Sequence, residues 1–99
     1  MVNVANFEAR DGELYVDNRR VIRGWESFSG WYFFATEDRG ESEFLINGRG
    51  VVGREYYGLV QGFEEEWGSW TMAELDPLIK RGKVWEIEKH DLPHAGRRL

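Results

Sequence analysis

Residues 56–82 read YYGLVQGFEEEWGSWTMAELDPLIKRG, and the fold is decided by how this stretch divides. Tyr56 to Phe63 has the apolar and β-branched content of a strand, Glu64-Glu65-Glu66 reads as an acidic turn, and Trp67 and Trp70 form an aromatic corner. Thr71-Met72-Ala73-Glu74 then has the spacing of a capping box, in which the Thr71 hydroxyl accepts from the Glu74 amide while the Glu74 carboxylate reaches back to the Thr71 amide. Trp70 before the cap and Leu75 after it are the two ends of a hydrophobic staple. Pro77 has no amide proton, which predicts one turn at 72–75 and a second short helix beginning at Pro77 with Asp76 as its cap. Lys80 and Arg81 suit the negative end of the helix dipole, and Gly82 suits the left-handed residue that stops it.

The motif G-L-V-x-G-F-E-x-E-W-G (Gly58, Leu59, Val60, Gly62, Phe63, Glu64, Glu66, Trp67, Gly68) continues through Glu74 and Leu75, and more loosely through Val84, Glu86 and Asp91. With Trp31-Tyr32 and Thr36-Glu37 upstream, it resembles a family of small domains of unknown function common on bacterial plasmids and conjugative elements. The resemblance covers roughly Trp31 to Leu92. It departs at Ile46 to Gly53, which reads as an insertion, and in lacking a longer amino-terminal lead. What it implies is a fold and a mobile-element setting, with no catalytic residues to carry over.

Working outward, Trp31 to Glu37 is apolar on both faces, which predicts an interior strand covered on both sides. Asp38-Arg39-Gly40 is expected to reverse the chain into Glu43 to Ile46, and Asn47-Gly48 to reverse it again. Upstream, Asn3 to Arg10 predicts an edge strand, Asp11-Gly12 a hairpin turn, and Glu13 to Asp17 the return strand. Asn18-Arg19-Arg20 reads as a turn, and Val21 to Phe28 as a weaker strand interrupted by Gly24. Downstream, Lys83 to Lys89 predicts a last strand with Trp85 and Ile87 inward and Glu86 and Glu88 outward. The fold class is α+β: an antiparallel sheet of about five or six short strands and one short helix in the carboxy-terminal half, broken at Pro77. Residues 1–92 form a single domain and 93–99, containing Arg97-Arg98, a flexible basic tail.

At 99 residues and 41% hydrophobic, with five Trp, the chain has the makings of one modest core and is no disordered composition. It has no Cys, so disulfide and thiolate chemistry are excluded. The opening MVNVANFEARDG lacks a basic region followed by an apolar run, and no apolar run approaches membrane-spanning length, so a soluble cytoplasmic protein is expected. Net charge is −5, unevenly spread. Ten acids against three arginines make Glu37 to Asp76 net −7, whereas the residues from Lys80 onward are net +3. An acidic body repels nucleic acid and attracts basic partners.

Gly48-Arg49-Gly50-Val51-Val52-Gly53 matches G-x-G-x-x-G, but a strand rather than a helix follows it, so the phosphate-binding mechanism is missing. A flexible hairpin tip is the favoured reading, with Arg49 and Arg54 leaving an anion-binding alternative open. Glu64, Glu65 and Glu66 have no calcium-loop spacing. They read either as a solvated turn or as an acidic contact patch framed by Trp67 and Trp70, because aromatics beside charge are common interface anchors. Asp38, Glu41 and Glu43 are expected nearby. His90 and His94 are separated by Pro93, which argues against a metal site on one helix face. No cofactor, metal or catalytic residue is expected, and Arg19, Arg20, Arg23 and Arg97-Arg98 are too sparse for a nucleic-acid footprint.

The reading that emerges is a non-enzymatic interaction module from a mobile element or phage. Glu64, Glu65, Glu66, Trp67, Asp38, Glu41 and Glu43 would engage a basic surface of another protein. Its most concrete form is an anti-restriction or anti-CRISPR inhibitor that mimics phosphates in a nucleic-acid-binding groove. A small nucleotide- or anion-binding enzyme domain using the Gly48–Gly53 loop, and an accessory domain of conjugative transfer, are the alternatives.

Overall fold

The computed structural model of the chain describes residues 4–95. Among them, eight strands form two sheets, all paired antiparallel. The smaller sheet contains β1 (Phe7–Arg10), β2 (Glu13–Val16) and β3 (Arg19–Arg20), in that order. The larger sheet is built from β4 (Arg23–Ser27), β5 (Tyr32–Ile46), β6 (Arg49–Gln61), β7 (Glu65–Thr71) and β8 (Val84–Glu86), in the order β7-β6-β5-β4-β8. One helix, α1 (Met72–Lys80), and a 3-10 helix (Lys89–His94) complete the α+β arrangement. There are more strands than the expected five or six because two segments read as turns are paired. The reversal at residues 17–18, where Asp17 and Asn18 both have positive φ, releases Arg19–Arg20 as a strand, and Glu65 onward joins β6. Strand β1 begins at Phe7; Asn3, the expected start, lies outside the described residues.

Helix α1 leaves edge strand β7 and delivers the chain to β8 at the opposite edge, so it crosses one face of the large sheet. The other face is covered by the small sheet and the 3-10 helix. Each face therefore has its own core. Under α1 lie Trp25, Ala35, Tyr56, Trp70, Leu75 and Val84, and on the far side Leu14, Val16, Val21, Tyr32, Phe34, Leu59 and Leu92. The first half of β5 divides the two: Phe34 and Ala35 are adjacent, fully buried and on opposite faces, as expected of an interior strand. Gly58 sits on β6 directly against the Phe34 carbonyl, where a Cβ would have no room.

Other expectations are corrected. Asp38-Arg39-Gly40 does not reverse the chain. The Asp38 carboxylate accepts from the Gly40 amide at 2.9 Å, Gly40 takes φ +77°, and the register slips between Asp38 and Glu41. This local loop is absorbed as a bulge because β6 continues opposite it, and β5 runs on to Ile46. The reversal comes at Asn47-Gly48 (φ 51° and 79°), so of the Gly48–Gly53 loop only Gly48 is in the turn and Arg49 to Gly53 are paired strand.

Thr71 caps α1 as predicted: its amide donates to Glu74 Oε1 at 3.1 Å and the capping box closes. Pro77 does not break the helix, which is continuous from Met72 to Lys80. The missing hydrogen bond is outweighed by packing of Leu75, Leu78 and Ile79 on the sheet and by a fixed carboxyl end. There the Gly82 amide (φ +73°) donates to the Ile79 carbonyl and the Lys83 amide to the Leu78 carbonyl. In β8 and just beyond it, Ile87 packs against the core and Glu86 and Glu88 are exposed, as expected, but Trp85 is 43% exposed rather than inward and the buried residue of the strand is Val84. The chain stays packed into the start of the expected 93–99 tail: Leu92 and Pro93 are buried, Leu92 in the core beside Gly24. Arg97-Arg98, the basic part of the expected tail, lie outside the described residues.

Candidate interaction surface

The expected acidic patch is divided by the length of β6. Glu66 pairs with Val60, whereas Glu41 pairs with Arg54 and Glu43 with Val52. Along a strand rising about 3.3 Å per residue, the Glu64–Glu66 segment and the Glu41–Glu43 segment are ~20 Å or more apart. Asp38, opposite Tyr56, is ~13 Å along the strand from the Val60 position, and Glu41 and Glu43 are far from Glu64, Glu65 and Glu66, so the seven predicted residues make no single patch.

Much of the carboxylate charge is also consumed by arginines brought in from distant sequence. Asp38 takes Arg54 Nη1 at 2.9 and 3.1 Å, and the Gly40 amide and this guanidinium together hold its carboxyl below the usual aspartate range. Glu37 takes Arg39 Nε at 2.7 Å, with Glu55 at 4.0 Å from the same guanidinium. Glu86 receives Arg23 in a two-pronged pair at 2.8 and 2.6 Å, whose hydrogen bonds raise the Arg23 pKa further. Arg23 also donates to the Tyr56 hydroxyl at 2.6 Å. Glu65 is half-buried and internal: Oε1 accepts from the Ala5 amide at 2.6 Å and Oε2 from Gln61 Nε2 at 2.7 Å. Among the described residues, Glu41, Glu43, Glu64 and Glu66 are exposed and in no salt bridge.

Glu64 and Glu66 adjoin an aromatic end of the molecule that the sequence reading did not assemble. Gly62 leaves space that the Trp31 ring fills, and Phe63 stands edge-on to Trp31 with centroids 5.5 Å apart. Phe63 is 95% exposed and Phe28, at the β4–β5 turn, 68%. Beside them an apolar groove of about 180 Å³ is lined by Phe28, Trp31, Phe33, Leu78, Lys83 and Val84. The cross-strand row Trp25, Phe33, Val60, Glu66 places Glu66 on the groove's face of the sheet. The aromatics proposed to frame the acidic turn are elsewhere. Trp70 is 5% exposed in the core under α1, and Trp67 is half-buried on the far face, stacked beside Tyr57. Phe63 was expected as the last residue of a strand, but β6 ends at Gln61 and Phe63 falls in the turn, where it has no cross-strand partner to pack on.

The G-x-G-x-x-G segment has no site geometry. The G-x-G-x-x-G residues lie on a paired strand and Arg54 is held by Asp38, so no loop of free amides surrounds an anion there. At the start of the 3-10 helix, Glu88, His90 and Asp91, all exposed, bring ligand atoms within 4.8 Å of one another beside a cavity of about 410 Å³ lined in part by Glu88 and Asp91.

No protein-family model, curated protein or solved structure matches this chain. What the fold defines is a class: a small α+β domain of two antiparallel sheets with one short helix. No helix among the described residues is long and apolar enough to cross a membrane.

Proposed function

We propose that this protein is a non-enzymatic module that binds a basic surface of another protein through its aromatic end. Phe63 and Phe28 enter apolar sites on the partner, a partner side chain enters the groove beside Trp31, and Glu64 and Glu66 steer the approach. The observation that carries this reading is Phe63, 95% exposed on a built aromatic support and next to two acids that are in no salt bridge among the described residues. Large rigid aromatics surrounded by charge are where binding energy concentrates. An inhibitor of a host restriction or CRISPR complex, encoded on a mobile element, is the most concrete form. Its support is the acidic body and the resemblance in Trp31 to Leu92. Phosphate mimicry asks for carboxylates repeated along one face; with the free acids at two ends, an anchored contact is favoured over a mimicked strand.

The test is a comparison of charge reversals in a purified partner complex. Glu64→Lys with Glu66→Lys is expected to slow association about tenfold and flatten its salt dependence, because rim charges mainly set encounter rates. Glu41→Lys with Glu43→Lys is expected to leave association unchanged. Equal effects from the two pairs would return the site to the whole acidic surface.

A further inference from the structure

The small sheet packs on one face of the large one, and a cleft opens between them. Two adjoining cavities of about 330 and 300 Å³ share Asp17 and Trp67 as common walls. Its aromatic wall is Trp67 on β7, stacked with Tyr57 on β6 (centroids 6.0 Å apart, ring planes 25° from parallel), while the Arg39 guanidinium lies 4.6 Å from the Tyr57 centroid. Leu59 and Ala5 close the inner end. The rim comes from the β2–β3 turn. Arg19 holds its guanidinium 5.2 Å from the Trp67 centroid, exposed and in no salt bridge among the described residues. Asp17, with a left-handed backbone (φ 50°), accepts from the Asn6 amide on Oδ1 at 2.9 Å, and its other oxygen accepts no hydrogen bond among the described residues.

An aromatic wall, a guanidinium beside it and a carboxylate at the edge form a slot for a flat polar ring. We propose that this cleft binds a nucleobase bearing an amino group, presented as a neutral nucleoside. The base stacks on Trp67, as bases do on aromatic side chains regardless of sequence. Arg19 lifts to cover the opposite face, an arrangement guanidinium planes commonly adopt with bases. The exocyclic amino group donates to Asp17, so adenine, cytosine and guanine are preferred over uracil. The net −5 charge of the chain disfavours a phosphate strand and selects the nucleoside. No bond is made or broken. The cleft lies on the opposite face of the large sheet from the Phe63 groove, so the two sites are separable.

The full chain, labelled for indole NMR, is titrated with adenosine, cytidine, uridine, glucose and a single-stranded dodecamer. The expected result is movement of the Trp67 indole and Tyr57 signals with adenosine and cytidine, at least about threefold tighter than with uridine. Asp17→Asn keeps a residue that tolerates the left-handed turn; it is expected to erase that preference. Arg19→Ala, at an exposed position, is expected to weaken all bases about threefold to tenfold. Silence of the Trp67 indole at millimolar nucleoside would overturn the proposal. So would glucose binding as well as adenosine, which would make the cleft a sugar site, or a salt-steep preference for the dodecamer, which would make it a strand site. An Asp17→Asn variant that folds and keeps its amino preference would remove the carboxylate's role and overturn the proposed recognition.

Discussion

At the arm end of the β5–β6 hairpin, Asp38 is bonded to Arg54 and Glu37 to Arg39, whereas at the Phe63 end Glu64 and Glu66 are in no salt bridge among the described residues and stand beside exposed rings. Both ends are acidic in sequence. The cross-strand register pairs Glu41 with Arg54 and places Asp38 beside it in the ladder, so the arm neutralises much of its own charge. The turn after β6 has no such partner, and its field extends outward. A count of carboxylates thus says less about a binding face than the ladder that decides which of them meet arginine.

The core beneath both ends should show the largest effect. Phe34 is fully buried between β4 and β6, and Phe34→Ala is expected to cost about 3–5 kcal/mol, enough to unfold a domain of this size; denaturant unfolding measures it. Phe63→Ala should separate binding from folding. It is expected to lose about 2 kcal/mol of partner affinity, the size of a central anchor, with an unchanged melting temperature. Leu45→Ala at the arm, although Leu45 is 73% exposed, should do neither. Thr71→Ala removes half of the capping box and is expected to cost about 1 kcal/mol of stability without touching binding.

The smallest effect is a pH signature of the arm. The Asp38 pKa is lowered from its ordinary 3.8, first by the Gly40 amide and then by Arg54. The folded state therefore binds that proton less readily than the unfolded chain. Its contribution is fully present above pH 3.8 and is lost as pH falls through the depressed value. The stability difference between wild type and Asp38→Asn should narrow below pH 3.8 and be flat above it. A difference that widened on acidification would mean the pairing is not formed.

What was legible in the sequence was local or repeated on both faces of a strand. The Thr71–Glu74 box spans four residues, and the double-faced apolar run from Trp31 announces an interior strand whatever pairs with it. Illegible features depended on partners far away. Asp38-Arg39-Gly40 has the same composition as a turn and as a bulge, and only the continuing β6 opposite makes it a bulge. Pro77 predicts a break until the packing of Leu78 and the contacts of Gly82 and Lys83 are known. The Arg23–Glu86 pair joins residues 63 apart. The aromatic end arises because α1 crosses the sheet and leaves Trp31, Phe28 and Phe63 beyond its cover, a boundary set by the crossing path rather than by any short pattern.

The central claim, that partners are engaged at the Phe63 end and not along the acidic arm, is tested most directly by site-specific photo-crosslinking. A benzophenone amino acid is placed at Phe63 in one protein and at Leu45 in another, and each is irradiated with the partner complex at physiological salt. The account predicts a covalent adduct from Phe63, abolished when Glu64 and Glu66 are both reversed to Lys, and none from Leu45. An adduct from Leu45 with none from Phe63 would contradict it.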